Sequence, residues 1–477
     1  MSFTEDTHNF QNWLINSGVQ ISPKIKIEDL RYLSQGRGLI SLQDINQDEI
    51  LFKIPRNVLL NIETGSLSQI NNNKEKLLTN YDHWEGLILT ILYELSLGNE
   101  SKWFQYFKIL PNEFHSLMFW EKDELELLKP SLVLDRIGQE KALETFNKLI
   151  PNALVDLGIN HLNISLDLFH KVASTILSYS FDVERPDFNE DMEDDEQVQY
   201  DGYFKSMVTL ADLLNADTNL SNANLFYETE FLIMKSIKPI PQGQQIYNTY
   251  GDHPNSELLR RYGYVEYNGS KFDFGELPIS TIKKTLNLHF NLSFEFIDQI
   301  LDIISQSDVE ELEEDIVLES YDVYLDGEIL PESQILIQSL IIIAQINQQE
   351  NLTIYPHGEL IKIINRILKK CYQLIESGNM TYNALILWEQ CILTRLNDYP
   401  SHSFRDFLIP PPAEQLNKLK MSECILKYEV LSLQKSLKSF NNGFKLINDE
   451  KLIRNILKRK LQQDENSDTK KIKKQKR

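Results

Sequence analysis

Near residue 275 the apolar residues change their spacing. Between about 20 and 275, short β-like runs alternate with helical stretches; from 276 to about 450 one amphipathic helical segment follows another. One layer arrangement cannot bury both patterns, so the chain is expected to hold an α+β body followed by an all-α domain. Its 477 residues also exceed what a single hydrophobic core sustains.

In the first part, "RGLISLQDINQDEILFKIPRNVLL" has two β-like runs joined by a polar turn at Gln47-Asp48. "HWEGLILTILYELSLG" and "FHKVASTILSYSFDV" carry apolar residues at helical spacing. The stretch 183–202, "VERPDFNEDMEDDEQVQYDG", has too few aliphatic residues to order itself and is expected to form a mobile acidic loop. It reads either as a solvated loop or as a docking site for a basic substrate. In the second part, residues 335–346, "ILIQSLIIIAQI", are too short for a membrane span and predict a buried helix.

The three cysteines, Cys371, Cys391 and Cys424, are far apart, which argues against a disulfide framework or a thiolate zinc site and for a reducing compartment. The nine histidines form no metal-binding pattern. The acidic first 18 residues have no apolar run, so no signal peptide is expected. Net charge is −22, unevenly spread: residues 451–477 hold 11 Lys or Arg against 3 Asp or Glu, a net +8, so the rest carries −30. Such a body is expected not to bind nucleic acid directly; its charge suits a basic partner, or serves solubility alone. The tail's clusters, 458–460 and 470–477, match a bipartite nuclear localisation signal, and equally a solubilising tail or a nonspecific RNA contact.

Three motifs bear on chemistry. Gly36-Arg37-Gly38 lets backbone approach a ligand, but the run continues as a strand, so it is not a dinucleotide fingerprint. Residues 211–227, "ADLLNADTNLSNANLFY", weave asparagines and aspartates among leucines. Polar groups in such a setting need partners from the chain or from a ligand, since each unpartnered one costs about 1–3 kcal/mol. "GQQIYNTYGDHPNSELLRRYGYVE" (243–266) crowds Tyr247, Tyr250, Tyr262 and Tyr264 around two Tyr-Gly turns.

Together, GRG, "ADLLN", "YNTYG" and "NSELLRRYGY" in that order resemble the SET-domain protein-lysine methyltransferases. The likeness is to the branch containing the Rubisco large-subunit methyltransferase and the fungal ribosomal-protein methyltransferases. The phrases "LFKIPRNVLL", "LKPSLVLDRIG" and "GSKFDFGE" are similar to the nuclear ribosomal type of yeasts. The resemblance implies an α+β SET core with a pseudoknot-like crossing and a helical insertion, then an all-α substrate-binding domain. Its boundaries here are a lead-in over 1–22, the SET domain over 23–266 with its insertion at about 70–182, the helical domain over 276–450 and a basic tail over 451–477.

The implied activity is methyl transfer from S-adenosyl-L-methionine to a protein lysine, without a metal. The implied target is one lysine, monomethylated, of a small zinc-ribbon protein of the large ribosomal subunit. A monomer in the nucleus, also reaching the cytoplasm, is expected, with a basic protein as partner and neither membrane nor nucleic acid. By the same resemblance Gln35, Gly36, Arg37, Asn215 and Ala216 hold the cofactor, and Tyr250 contacts it and is catalytic. Asp212, Asn224 and Tyr262 line the target-lysine pocket. Two positions depart from the family: Asn215-Ala216 stands where Asn-His is common, so Ala216 replaces the histidine, and Tyr179 stands where the Rubisco enzyme has arginine. Two other readings remain, a non-catalytic module for a basic ribosomal or chromatin protein and a histone methyltransferase. The lack of zinc-ligand cysteines argues against the latter's usual architecture.

Overall fold

The computed structural model describes residues 2–185, 202–307, 315–400 and 416–457. These form two compact units: 2–128, 133–271 and 416–424 make the first, while 129–132, 272–400 and 425–457 make the second.

In the first unit the chain opens with the helix Phe3–Asn16, capped by the Ser2 hydroxyl, which accepts from Glu5 N. Strands β1 (Gln20–Ile21), β2 (Ile25–Asp29), β3 (Arg37–Ser41) and β4 (Ile50–Pro55) follow. The two β-like runs read from the sequence are β3 and β4, and Asp48 turns between them with φ +65°. They do not pair with each other. β3 lies between β2 and β9 (Gln245–Ile246), while β4 enters a four-stranded sheet of order β1-β4-β8-β7. There β7 is Ala223–Tyr227 and β8 is Phe231–Ser236. β5 (Ser180–Glu184) and β6 (Tyr203–Met207) form a separate antiparallel pair. Val183 and Glu184, expected in the acidic loop, are in β5; the loop itself, 186–201, lies outside the described residues.

The insertion is helical. Asp82 caps His83–Leu97 through a reciprocal box with Glu85, and Gly98 follows its end. This helix is buried almost all round and packs against Leu166–Tyr179. Its buried Glu94 accepts from Ser66 N at 2.6 Å and Ser101 Oγ at 2.5 Å, so the carboxylate is not stranded.

The expected crossing is formed by main chain and one carboxamide. Asn222 donates to Gln245 O (3.0 Å) and accepts from Tyr247 N (2.9 Å), mimicking a backbone partner. Upstream, Ala216 bridges Asn248 in parallel: Asn248 N donates to Asn215 O and Asp217 N to Asn248 O.

The second unit is mainly helical, as the periodicity predicts: Ile279–Phe290, Phe294–Ser305, Pro331–Glu350, His357–Glu376, Tyr382–Leu396 and residues 425–439 of Lys418–Ser439. It also holds two strand pairs, β10 (Phe274–Pro278) with β11 (Ser320–Tyr324) and β12 (Asn379–Thr381) with β13 (Lys445–Ile447). The run 335–346 is buried within Pro331–Glu350. Among the described residues no helix is long and apolar enough to cross a membrane. Gln338 in that core exchanges hydrogen bonds with Thr381 Oγ1 (3.0 Å) and N (2.8 Å). All three cysteines are buried, and none is in a disulfide among the described residues.

Candidate active site

One cavity of about 670 Å³ in the first unit gathers residues from the turn before β3, loop 111–116, the end of Leu166–Tyr179, the polar stretch after 214, and the tyrosine-rich segment. That volume suits a small-molecule site. Gln35, Gly36, Asn215, Ala216, Tyr250 and Tyr262 all line it.

The turn into β3 depends on its glycines. Gly36 sits at φ +65°. Gly38 has no room for a side chain: a Cβ there would lie 2.6 Å from Leu30 Cδ1, 2.8 Å from Asn215 Nδ2 and 2.9 Å from Gln245 Oε1. The missing Cβ lets Asn215 reach across, donating to Gln245 Oε1 at 2.7 Å and Arg37 O at 3.4 Å.

Much of the remaining lining is phenolic. The Tyr250 hydroxyl donates to Leu214 O at 2.8 Å. Its ring lies 4.7 Å from that of Tyr262 and 6.2 Å, edge-on, from that of Tyr264. Tyr262 follows Tyr250 by one helix, and its hydroxyl donates to Tyr250 O at 3.2 Å. Burial pushes the Tyr250 and Tyr264 hydroxyls well above their ordinary value, so both stay neutral. Tyr179 is pushed up to about 12, first by burial and then by Asp212. The Tyr264 hydroxyl is buried without a hydrogen-bond partner among the described residues.

Gly263, at φ +78°, carries this wall against the insertion loop: a Cβ would meet His115 C and Ser116 N at 2.7 Å. Buried Glu266 pins the opposite loop, accepting from Thr218 N at 2.7 Å and from the Thr218 hydroxyl.

Three expected residues do not line the cavity. The Arg37 side chain turns away, donating to Thr7 Oγ1 (2.9 Å), Ile109 O (3.0 Å) and Phe3 O (3.2 Å), with its guanidinium 3.8 Å over the Phe3 ring. It anchors the first helix; only its carbonyl meets Asn215. Asn224 points outward because β7 alternates, burying Ala223 and Leu225, and its Oδ1 accepts from Leu225 N at 3.0 Å. Asp212 is 4 % exposed and accepts from the Tyr106 hydroxyl, while its Oδ1 has no partner among the described residues. Burial raises its carboxyl to about 7, against the lowering effect of Tyr106.

The sequence reading missed Tyr247 and Tyr267 as lining residues, and loop 111–116 with Leu416. Tyr247 lay within the tyrosine-rich signal; "PNEFHS" carried none. Six tyrosines and three carboxylates (Glu113, Asp217, Glu266) line the cavity, and no lysine or arginine does among the described residues. Such walls favour a cation, through both charge and aromatic faces.

Comparison with known proteins bears on the family and the fold. A SET domain profile matches residues 36–251. "Ribosomal lysine N-methyltransferase 4" of Saccharomyces cerevisiae is 42% identical, covering 98% of each chain. "N-lysine methyltransferase SETD6" of Mus musculus is 29% identical over 57% of each chain. In fold, the chain is similar to the structure described as "Crystal structure of the SET domain of LSMT bound to Lysine and AdoHcy", with TM-score 0.61, 18% identity and coverage of 93% of this chain and 92% of that one. "Structure of Rubisco LSMT bound to AdoMet" superposes with TM-score 0.60 at 18% identity, covering 92% of each. The chain belongs to the SET-domain protein-lysine methyltransferases.

Proposed function

We propose that this chain transfers a methyl group from S-adenosyl-L-methionine to one lysine of a basic protein of the large ribosomal subunit, of the small zinc-ribbon kind, stopping at monomethylation. One observation carries the reading: a single cavity is lined both by Gly36 and Asn215 and by the phenols of Tyr250, Tyr262 and Tyr264. The lining fits the cofactor's net positive charge: its ammonium and sulfonium would meet acceptors and aromatic faces with no competing cation among the described residues, while its carboxylate would need hydroxyl or N–H donors. When bound, S-adenosyl-L-methionine supplies an electrophilic methyl group.

The residues of the chain do the rest. The lysine amine must be neutral to attack; with the cofactor bound, the neighbouring sulfonium charge would disfavour its charged form, as does its removal from water. Tyr250, held by its hydrogen bond to Leu214 O and by the Tyr262 ring, fixes the width and direction of the channel. Orientation of the two reactants is then the main contribution to rate. Ala216 does not interrupt the cofactor end, since its neighbours are held through main-chain hydrogen bonds. The ribosomal target draws support from the name of the yeast relative. The acidic composition before residue 451 suits a basic protein. The chain acts as a monomer, and the basic clusters at 458–460 and 470–477, outside the described residues, direct it to the nucleus.

The test is mass spectrometry of ribosomal proteins from cells with and without the gene, beside tritiated-methyl transfer to ribosomal subunits and to nucleosomes. A single lysine of a large-subunit protein losing one methyl group in the deletion is expected. Label on nucleosomes alone would replace the ribosomal target with histone, and label on neither would leave a binding module.

A further inference from the structure

Gln245 touches the candidate site without lining it. It opens β9, opposite Ile40 of β3. Its side chain joins three segments that meet only in the folded chain. The Nε2 group donates to Gln35 Oε1 at 2.8 Å and to the Tyr247 hydroxyl at 2.7 Å. The Oε1 atom accepts from Asn215 Nδ2 at 2.7 Å.

Which end of a carboxamide faces which way is set by its partners. With both Nε2 hydrogens directed at Gln35 and Tyr247, Gln245 can offer Asn215 only an acceptor. Asn215 must therefore turn its Nδ2 toward Gln245, where Arg37 O takes a second contact at 3.4 Å. Both amide hydrogens are then engaged with the protein. The remaining polar atom of Asn215, Oδ1, is left as an acceptor in a residue that lines the cavity. Gly38 belongs to the same device, since any side chain there would strike both carboxamides.

We propose that Gln245 is a positioning residue for the methyl-transfer reaction: through its hydrogen bond to Asn215 it holds Asn215 Oδ1 toward the cavity as an acceptor for an N–H donor of the cofactor. This rests on the methyltransferase reading above. Without Gln245 only the long contact to Arg37 O holds the Asn215 amide, which can then turn more easily and present either end. That loosening weakens binding of the cofactor but leaves the hydrogen bonds of Tyr250 and Tyr262 in place.

The test compares Gln245→Met with Gln245→Glu in the full chain, by calorimetric binding of S-adenosylhomocysteine, steady-state kinetics and thermal unfolding. Methionine keeps the volume and removes the polar contacts. Glutamate keeps an acceptor for Asn215 Nδ2 and can accept from Tyr247; its second oxygen also faces Gln35, whose amide must turn its N–H toward it. For Gln245→Met we expect Kd and the cofactor KM to rise about tenfold, the effect of one lost hydrogen bond. Its kcat at saturating cofactor should change less than about threefold, the signature of lost ground-state binding. Gln245→Glu should restore both binding constants to within about threefold of wild type, since an acceptor for Asn215 is kept. Equal weakening in both variants, or none in Gln245→Met, with the wild type binding normally, overturns the positioning role alone. Failure of the wild type to bind S-adenosylhomocysteine overturns the methyltransferase reading and this inference with it.

Discussion

Both units bury carboxylic acids, and two of these, one from each unit, are treated differently. Glu429, in the second unit, has both oxygens engaged: the Ser131 hydroxyl donates to one at 2.5 Å and the Tyr399 hydroxyl to the other at 2.8 Å. Arg395 nearby is also buried, donating to Glu276 O and Pro130 O. Asp212, in the first unit, has the Tyr106 hydroxyl on one oxygen and no partner on the other among the described residues. Burial raises both carboxyls to about 7. A complete network stabilises a core and asks for nothing more. An incomplete one costs stability, and here it stands within electrostatic reach of Tyr179 and Tyr250, which line the candidate site.

The contrast makes predictions of decreasing size. The largest tests the site itself: Tyr250→Phe should lower kcat by about 10²–10³, the usual effect of one positioned polar group at a reacting centre. Its stability should fall by about 1–3 kcal/mol, since Leu214 O loses its partner; a variant that retains more than half of wild-type kcat would remove Tyr250 from the chemistry.

Next, Glu429→Ala strands two buried hydroxyls and should cost roughly 2–5 kcal/mol in urea unfolding. Asp212→Asn, which keeps an acceptor for Tyr106, should cost less than about 1 kcal/mol. Equal costs would erase the distinction between the two acids.

The third concerns pH. Both acids bind protons more tightly folded than unfolded. Between the unfolded values near 4 and the folded values of about 7, the folded chain keeps protons that the unfolded chain releases, so stability falls as pH rises. Below that window and above it these acids contribute no slope. Replacing either with its amide should therefore flatten the stability profile between pH 5 and 7 by up to about 1.4 kcal/mol per pH unit, one proton's worth. Unchanged slopes in both variants would show that neither acid titrates in that window.

The smallest effect is expected at the surface. Asn224→Ala should leave stability within about 0.5 kcal/mol of wild type, as at most exposed positions. Its activity on a protein substrate should stay within about twofold, because Asn224 faces out from β7. A larger loss of activity, measured as KM for the protein substrate, would bring the outer face of β7 into the substrate site.

The helices of the second unit were legible because their apolar residues repeat at three and four positions. In His357–Glu376, for example, the buried residues are Leu360, Ile363, Ile364, Ile367, Leu368, Cys371 and Ile375. The turn at Gly36 and the cluster of tyrosines were legible for a similar reason, since each is a local demand on the backbone or a local concentration of one residue type. The polar stretch 211–227 was legible as a unit but not residue by residue. Asn222 replaces a backbone partner in the crossing, Asn215 faces the cavity and Asn224 faces outward, although all three are the same residue type.

The sequence by itself determined the change from an α+β body to a helical domain, the family, and the segments from which a site would be drawn, because periodicity, turn chemistry and motif order are properties of neighbouring residues. Only the tertiary structure decided that Arg37 spends its side chain on Phe3, Thr7 and Ile109, that loop 111–116 walls the cavity, and that Gln245 orients Asn215. Each of those outcomes depends on a hydrogen bond or a close approach between segments 30 or more residues apart. Such a contact leaves no trace in local spacing, since its direction is set only when the chain has closed around it.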